Sequence, residues 1–286
     1  MKVLVTGSEG FLGKHICHAL RERGHEVIGL DSAPTADIVA DITKVMPIMK
    51  VDAVVHLAAV ASPSVCDNHP ELAFNVNVQG THQVLRLALE SGARKFVFSS
   101  SAHVYGVGPK YLPTDERHPL WLQNPYTTTK ILGEQLCELF YENHGLSYTT
   151  LRLYNAYGPG QGLGYLIPDL MAKAKQGGLI ALKGGDTTKD FVYVTDVAEA
   201  FCRAVETAYV GPINIGTGVE SSLFEVAARV TRHTTTSVAI TERGNPTRMR
   251  ADLRRAEAVL GWKPATTIEE GLNAIINHAQ TQSVPA

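Results

Sequence analysis

Met1-Lys2-Val3-Leu4-Val5-Thr6-Gly7-Ser8-Glu9-Gly10-Phe11-Leu12-Gly13 is the stretch that decides the fold. Residues 3–5 form a short apolar run, as a strand buried on both faces requires. Glycines follow at once, at positions 7, 10 and 13. Residues 14–23 then read as a helix, with Ile16, Ala19 and Leu20 on one face. Strand, glycine turn and helix in this order let the backbone approach a pyrophosphate, which the positive end of the helix attracts. The spacing is GxxGxxG rather than GxGxxG, so the context carries the inference more than the glycines do.

Working outward, residues 26–30 read as a second strand that ends at Asp31. A carboxylate at this distance suits the hydroxyls of an adenosine ribose. It would repel a 2′-phosphate, and no Arg or Lys lies between Asp31 and Lys44 to offset it. NAD is therefore expected rather than NADP. The competing reading is a turn-forming Asp before Ser32.

Strands and helices alternate through the first half. Further strands are expected at 37–40, 53–58, 95–99 and 149–153, and long helices at 71–91 and 125–143. This alternation predicts an α/β fold, a Rossmann-type doubly wound parallel sheet with helices on both faces. Residues 102–124 form a loop rich in Gly and Pro, of a length that is usually functional. The second half is less regular. Its glycine-rich opening at 158–164 leads to helices at 167–176, 197–207, 223–232, 253–260 and 268–278, strands at 191–194 and 213–216, and a polar tail. The expected division is a cofactor-binding domain over 1–157 with a return segment near 189–210. A smaller C-terminal α/β substrate domain then takes 158–188 and 211–286.

Composition fits a single enzyme. The 286 residues are enough for a sizeable core, and a net charge of −2 points to neither nucleic acid nor an anionic membrane as partner. Cys17, Cys66, Cys137 and Cys202 are far apart with no CxxC pair, so neither zinc nor any other metal site is expected, nor a disulfide. They suit a reducing cytoplasm. The chain starts on a strand, and no apolar run is long enough to cross a bilayer.

The chemistry centres on Tyr126-Thr127-Thr128-Thr129-Lys130, with Ser101 upstream. A tyrosine and a lysine four residues apart share a helix face. A phenol, with a pKa of about 10, is a poor base on its own. A nearby ammonium favours phenolate, which would make Tyr126 a general base for an alcohol proton. The bland alternative is a solvated face that happens to carry both.

Further blocks extend the pattern. They include His56-Leu57-Ala58-Ala59, Asn77-Val78-Gln79-Gly80-Thr81 and Phe98-Ser99-Ser100-Ser101-Ala102-His103-Val104-Tyr105-Gly106. Later come Leu151-Arg152-Leu153-Tyr154-Asn155-Ala156-Tyr157-Gly158-Pro159-Gly160, Lys189-Asp190-Phe191-Val192-Tyr193-Val194 and Leu260-Gly261-Trp262-Lys263-Pro264. Together they resemble the extended short-chain dehydrogenase/reductase superfamily, in particular its NAD-dependent nucleotide-sugar epimerase/dehydratase branch. In motifs they are closest to UDP-glucose 4-epimerase-like proteins, and the likeness runs from residue 3 to about 271.

The resemblance implies that Gly7, Gly10 and Gly13 hold the pyrophosphate, with backbone amides from Phe11 and Leu12. It implies that Asp31 binds the adenosine ribose, that Asp41 and Ile42 flank the adenine, and that Leu57, Ala58 and Ala59 line the cofactor channel. Tyr126 is then the base. Lys130 binds the nicotinamide ribose and lowers the Tyr126 pKa, and Ser101 hydrogen-bonds the reacting hydroxyl or carbonyl. Asn155 matches an asparagine that contacts a sugar diphosphate in relatives. Asn77 matches a helix asparagine near the site, or simply positions backbone or water. Relatives also pair the helices at 71–91 and 125–143 across a two-fold axis. That implies a homodimer, and Ile131, Leu132, Leu136, Leu139 and Phe140 supply more apolar surface than one core-facing stripe needs.

Departures from the family bear on reaction type. Dehydratases of this branch carry an Asp-Glu pair after the serine or threonine position, and its decarboxylases usually keep a glutamate there. This chain has Ala102 and His103. His103 either contacts substrate or is a satisfied loop histidine. Lys189 stands where many relatives have a diphosphate-gripping arginine, keeping the charge but losing the bidentate fork. Arg243 and Arg248 are further candidates for the diphosphate, or are surface arginines. The leading expectation is a nucleotide-sugar 4-epimerase acting on a small-molecule substrate. Rivals are a net sugar-nucleotide dehydrogenase or 4-ketosugar reductase, a non-nucleotide alcohol dehydrogenase, and a non-catalytic NAD-binding regulator.

Overall fold

The computed structural model describes residues 1–281 apart from His233, Arg243 and Gly244, with backbone alone for 278–281. Arg243 and the end of the expected polar tail thus lie outside the described residues. The first half runs β1 (Lys2–Thr6), α1 (Phe11–Glu22), β2 (Glu26–Asp31), β3 (Ile38–Val39), β4 (Ala53–His56), α2 (Pro63–Asn68), α3 (Pro70–Phe74), α4 (Thr81–Glu90), β5 (Lys95–Ser101), α5 (Pro125–His144) and β6 (Ser147–Leu153). The second half runs β7 (Asn155–Tyr157), α6 (Leu166–Gln176), β8 (Gly178–Lys183), β9 (Thr188–Tyr193), α7 (Val194–Glu206), β10 (Gly211–Ile215), β11 (Glu220–Ser222), α8 (Leu223–Thr231), β12 (Thr236–Glu242), α9 (Arg254–Leu260) and α10 (Ile268–Thr281).

Seven strands form the main sheet, in the order β10-β6-β5-β4-β1-β2-β3, with every pairing parallel. The chain is therefore an α/β protein with a Rossmann-type doubly wound sheet. The strand order reverses between β1 and β4, and in such sheets ligands bind in the crevice at the carboxyl ends there. β5 is buried along its whole length, as a central strand covered on both faces must be. Two apolar clusters cover the faces. One centres on Val3, Val5, Ile16, Phe201 and Trp262, the other on Leu4, Val54, Phe96, Phe98 and Phe140.

α5 is specified at both ends. Asn124 caps it by accepting from Thr127 N at 2.9 Å, Pro125 takes its first turn, and Gly145 closes it at φ 71°. The expected long helix over 71–91 is instead α3 and α4 joined by a widened π turn, residues 75–80. There Thr81 Oγ1 donates back to Asn77 O at 2.6 Å. Such bulges re-aim side chains and are frequent at functional sites. This one turns Asn77 inward.

A smaller unit packs α6, α8 and α10 with the two-stranded β8–β12 sheet around Tyr157, Leu170, Ile180, Phe191 and Val226. One expected boundary is corrected: β10, at 211–215, pairs with β6 in the main sheet rather than staying with the second unit. α9 follows it, its Ala256 and Leu260 joining the first cluster, because the apolar face of α7 is already there to receive them. The apolar surplus on α5 is also smaller than the sequence implied. Ile131 and Phe140 are buried in the core, Leu132 and Leu136 are half-buried, and Leu139 is exposed. No helix among the described residues is long and apolar enough to cross a membrane.

Candidate active site

A continuous cleft of about 910 Å³ runs along the carboxyl edge of the main sheet, from the β1–α1 turn to the β7–α6 loop. It gathers Gly7, Gly10, Phe11, Leu12, Gly13, Asp31, Asp41, Ile42, Leu57, Ala58 and Ala59 at one end, and Ser101, His103, Tyr126, Lys130, Asn155 and Lys189 at the other.

The glycine turn is as tight as a cofactor cradle needs. A Cβ on Gly13 would lie 2.1 Å from the Gly7 carbonyl, and one on Gly7, which sits at φ +72°, would meet Ala58 N at 2.7 Å. The first-turn amides of Phe11 and Leu12 have no acceptor within α1, so they are available to an anion at the positive helix end. Asp31 sits on the same rim, its carboxylate accepting from Glu9 N at 3.0 Å and Ala33 N at 3.1 Å. Asp41 is held by Thr43, whose amide and hydroxyl both donate to it and keep its carboxyl below the usual range. Ile42 packs under Gly80, where a Cβ would come within 2.6 Å of it. This donor set, with a carboxylate and no cation among the described residues lining the ribose end, fits a dinucleotide without a 2′-phosphate.

At the other end, Ser101 ends β5 and Tyr126 and Lys130 share one face of α5. A hydrogen bond from the Ser101 side chain favours the Tyr126 phenolate, but burial is the larger effect and pushes the phenol up to about 12. Burial likewise pushes Lys130 down to about 8. The expected pull of Lys130 on the phenol is not what the structure shows. Lys130 Nζ donates to Ser99 O at 2.8 Å and lies 6.0 Å from the Tyr126 ring centroid, and desolvation acts against the charged form of both groups.

His103 lies edge-on to Tyr126, with ring centroids 6.2 Å apart. Burial, with the Lys189 charge acting the same way, lowers it to about 4, so it is neutral at pH 7. Among the described residues no acid pairs with the Lys189 ammonium, which faces the cleft and is itself lowered by burial. Asn155 lines the cleft, and its Nδ2 donates to Asp190 O at 3.1 Å. Asn77 takes the bland role: it bonds Val60 N at 2.7 Å and Thr129 Oγ1 at 3.1 Å, tying the β4 loop to α5. Arg248 is not brought into the cleft; it is exposed and paired with Glu220 on both guanidinium edges.

Tyr165, Gln161 and residues 62–64, the cap and first turn of α2, also line the cleft, and the sequence does not single them out. The glycine-rich opening at 158–164 was the available signal for the first two.

Residues 3–216 match the NAD dependent epimerase/dehydratase family. The UDP-glucose 4-epimerase of Mycolicibacterium smegmatis is 32% identical, covering 99% of this chain and 100% of the relative. UDP-glucuronic acid decarboxylase 6 of Arabidopsis thaliana is 32% identical, covering 95% of this chain and 87% of the relative. Among solved structures, the UDP-glucose 4-epimerase of Thermus thermophilus in complex with NAD superposes with a TM-score of 0.88 at 28% identity, covering 99% of this chain and 100% of that one.

Proposed function

The chain belongs to the NAD-dependent epimerase/dehydratase family and is an NAD-dependent enzyme, and from that premise we propose that it is a nucleotide-sugar 4-epimerase. The observation that carries this reading is the meeting in one cleft of the Ser101–Tyr126 pair and the Lys189 cation, which no acid among the described residues neutralises. A diphosphate would supply the anion that Lys189 lacks, and a sugar attached to it would reach the phenol.

NAD, when bound, supplies hydride acceptance and return at the sugar C4. Gly7, Gly10, Gly13 and the first turn of α1 hold its pyrophosphate, and Asp31 its adenosine ribose. Asp41 and Ile42 flank the adenine, and Leu57, Ala58 and Ala59 line the channel. Tyr126 takes the proton of the 4-hydroxyl and gives it back after the sugar has turned. Ser101 hydrogen-bonds the same oxygen, and Lys130 holds the nicotinamide ribose. Because the phenol is protonated at neutral pH, cofactor and substrate have to favour its ionised form. The Ser101 hydrogen bond already acts in that direction.

The position after Ala102 favours epimerisation over elimination or decarboxylation. It carries His103, a neutral imidazole, where those reactions in this branch use a carboxylic acid. Asn155 and Lys189 contact the substrate diphosphate. The reading carries with it a cytoplasmic setting and a homodimer built on the α3–α4 and α5 helices.

A thermal-shift screen of UDP-, GDP- and dTDP-sugars with NAD present, followed by analysis of the stabilising sugar for its 4-epimer, tests it. A true ligand at 100 times its dissociation constant adds roughly 2.7 kcal/mol of stability. Stabilisation without 4-epimer would point to a dehydrogenase or reductase, and no stabilisation by any of them would sink the nucleotide-sugar reading.

A further inference from the structure

Behind the cleft, one helical turn beyond Lys130, lies a buried charged group that the reaction as described does not use. Glu134 continues the spacing of Tyr126 and Lys130 by four residues, so the three share one face of α5. Its carboxylate accepts from Arg152 Nε at 3.0 Å and Arg152 Nη2 at 2.6 Å, both from β6. It also accepts from Ser100 Oγ at 2.6 Å, in β5 and next to Ser101. Arg152 Nη1 continues to the Tyr105 hydroxyl at 3.0 Å, which donates to Asn214 Oδ1 in β10 at 2.6 Å.

A buried ion pair is weak evidence for stability, since desolvation consumes most of the attraction and apolar replacements often do as well. It is strong evidence for fixed geometry, because a guanidinium fork is planar and directional. Here the fork joins the helix that carries Tyr126 and Lys130 to β6, and the Ser100 hydrogen bond joins the same carboxylate to β5, the strand that carries Ser101.

We propose that Glu134 and Arg152 are positioning residues: their buried fork, with the Ser100 hydrogen bond to the same carboxylate, sets the depth and rotation of α5 against β6 and β5, and so places Tyr126 and Lys130 opposite Ser101. The pair has an electrical consequence too. Lys130 is faced by Tyr126 and Glu134 from its own helix, by His56 from β4 and by Cys66 from α2. Burial lowers Lys130, and Cys66 and Glu134 oppose that. Removing the Glu134 charge takes away an anion that favours the charged ammonium, so Lys130 holds its proton less well.

The consequence for catalysis rests on the reading of Tyr126 and Lys130 given above, but the test needs no substrate. The full chain is labelled with ¹³C at the lysine ε-carbons, Lys130 is assigned by Lys130→Arg, and its titration is followed by NMR. Glu134→Gln is nearly isosteric. It should lower the Lys130 midpoint by about one pH unit, a tenfold loss of proton affinity, and weaken NAD binding by about as much. Val230→Ala, in the remote core of the second unit, loses stability and should move neither reading. Glu134→Asp keeps the charge but shortens the reach, so the midpoint stays while NAD affinity falls. If Glu134→Gln does not fold, Glu134→Asp alone decides. Wild-type NAD affinity in Glu134→Asp, or an unmoved midpoint in a folded Glu134→Gln, overturns the proposal and leaves a purely structural pair. If the wild-type chain binds no NAD, the proposed function fails, while the lysine titration still decides this inference.

Discussion

Two side chains, Tyr126 and Lys130, carry most of the chemistry of the cleft. Tyr126→Phe removes one hydroxyl from a buried site and leaves the ring contacts in place. The expected outcome is unchanged folding and NAD binding, with turnover reduced by about two to four orders of magnitude. Assaying epimerisation beside calorimetric NAD binding checks it, and turnover near that of the wild type would remove Tyr126 from the base role. Lys130 sets a pH limit of its own. Its charge is present below a pKa of about 8 and is lost as pH rises through that value. NAD affinity should therefore weaken on the alkaline side of about pH 8, whereas His103, at about 4, adds no limb between pH 6 and 8. At the other end of the cleft, a carboxylate at Asp31 would repel a 2′-phosphate. The wild type should bind NAD more tightly than NADP, and Asp31→Ala should narrow the gap; equal wild-type affinities in competitive binding would contradict the repulsion argument.

At the element scale, the seating of α5 on β5 is the critical contact. Gly133 lies in the helix interior, where Ala would ordinarily gain about 0.5–1 kcal/mol. A Cβ there would come 2.4 Å from Cζ of Phe98, a ring confined between His56 and the Lys130 ammonium. Overpacking of this kind costs about 1–3 kcal/mol, so Gly133→Ala should lower the urea midpoint and weaken NAD binding. A raised midpoint would show that the helix has slack against the sheet. This contact also shows what the sequence made legible. The spacing of Tyr126 and Lys130 and the glycine turn are local signals, and both sets of residues line the cleft. β8 and β12 escaped because each is half-exposed and short of strong alternation, and its pairing partner is remote in sequence. The π turn escaped because its cause is the inward pull on Asn77 by Val60 and Thr129, which no periodicity records. The sequence presents Lys189 as a weaker arginine, but only the fold places its charge beside His103.

At the scale of the whole molecule, the question is whether the outer faces of α4 and α5 are covered. The sequence overstated their apolar surplus, since Ile131 and Phe140 serve the core. Leu139 remains 51% exposed and borders, with Leu89 and Phe140, a shallow depression of about 370 Å³ between the two helices. Its rim carries Arg86 and Glu90, joined at 3.1 Å, together with His82 and His144. An apolar centre inside a polar rim is the anatomy of a protein interface, and a stable one buries about 800 Å² on each partner. A two-fold axis beside α5 would present the same patch to its copy, which is the commonest closed symmetry. It would also stiffen the helix that bears Tyr126, Lys130 and Glu134, so assembly would support the site. Light scattering at micromolar concentration should give twice the chain mass of 30.9 kDa. Leu139→Glu should shift the mass towards the monomer, because a desolvated carboxylate at the centre of the contact finds no partner. A monomeric wild type would return Leu139 to the solvated surface. It would also leave the Glu134–Arg152 fork as the principal support for the catalytic helix.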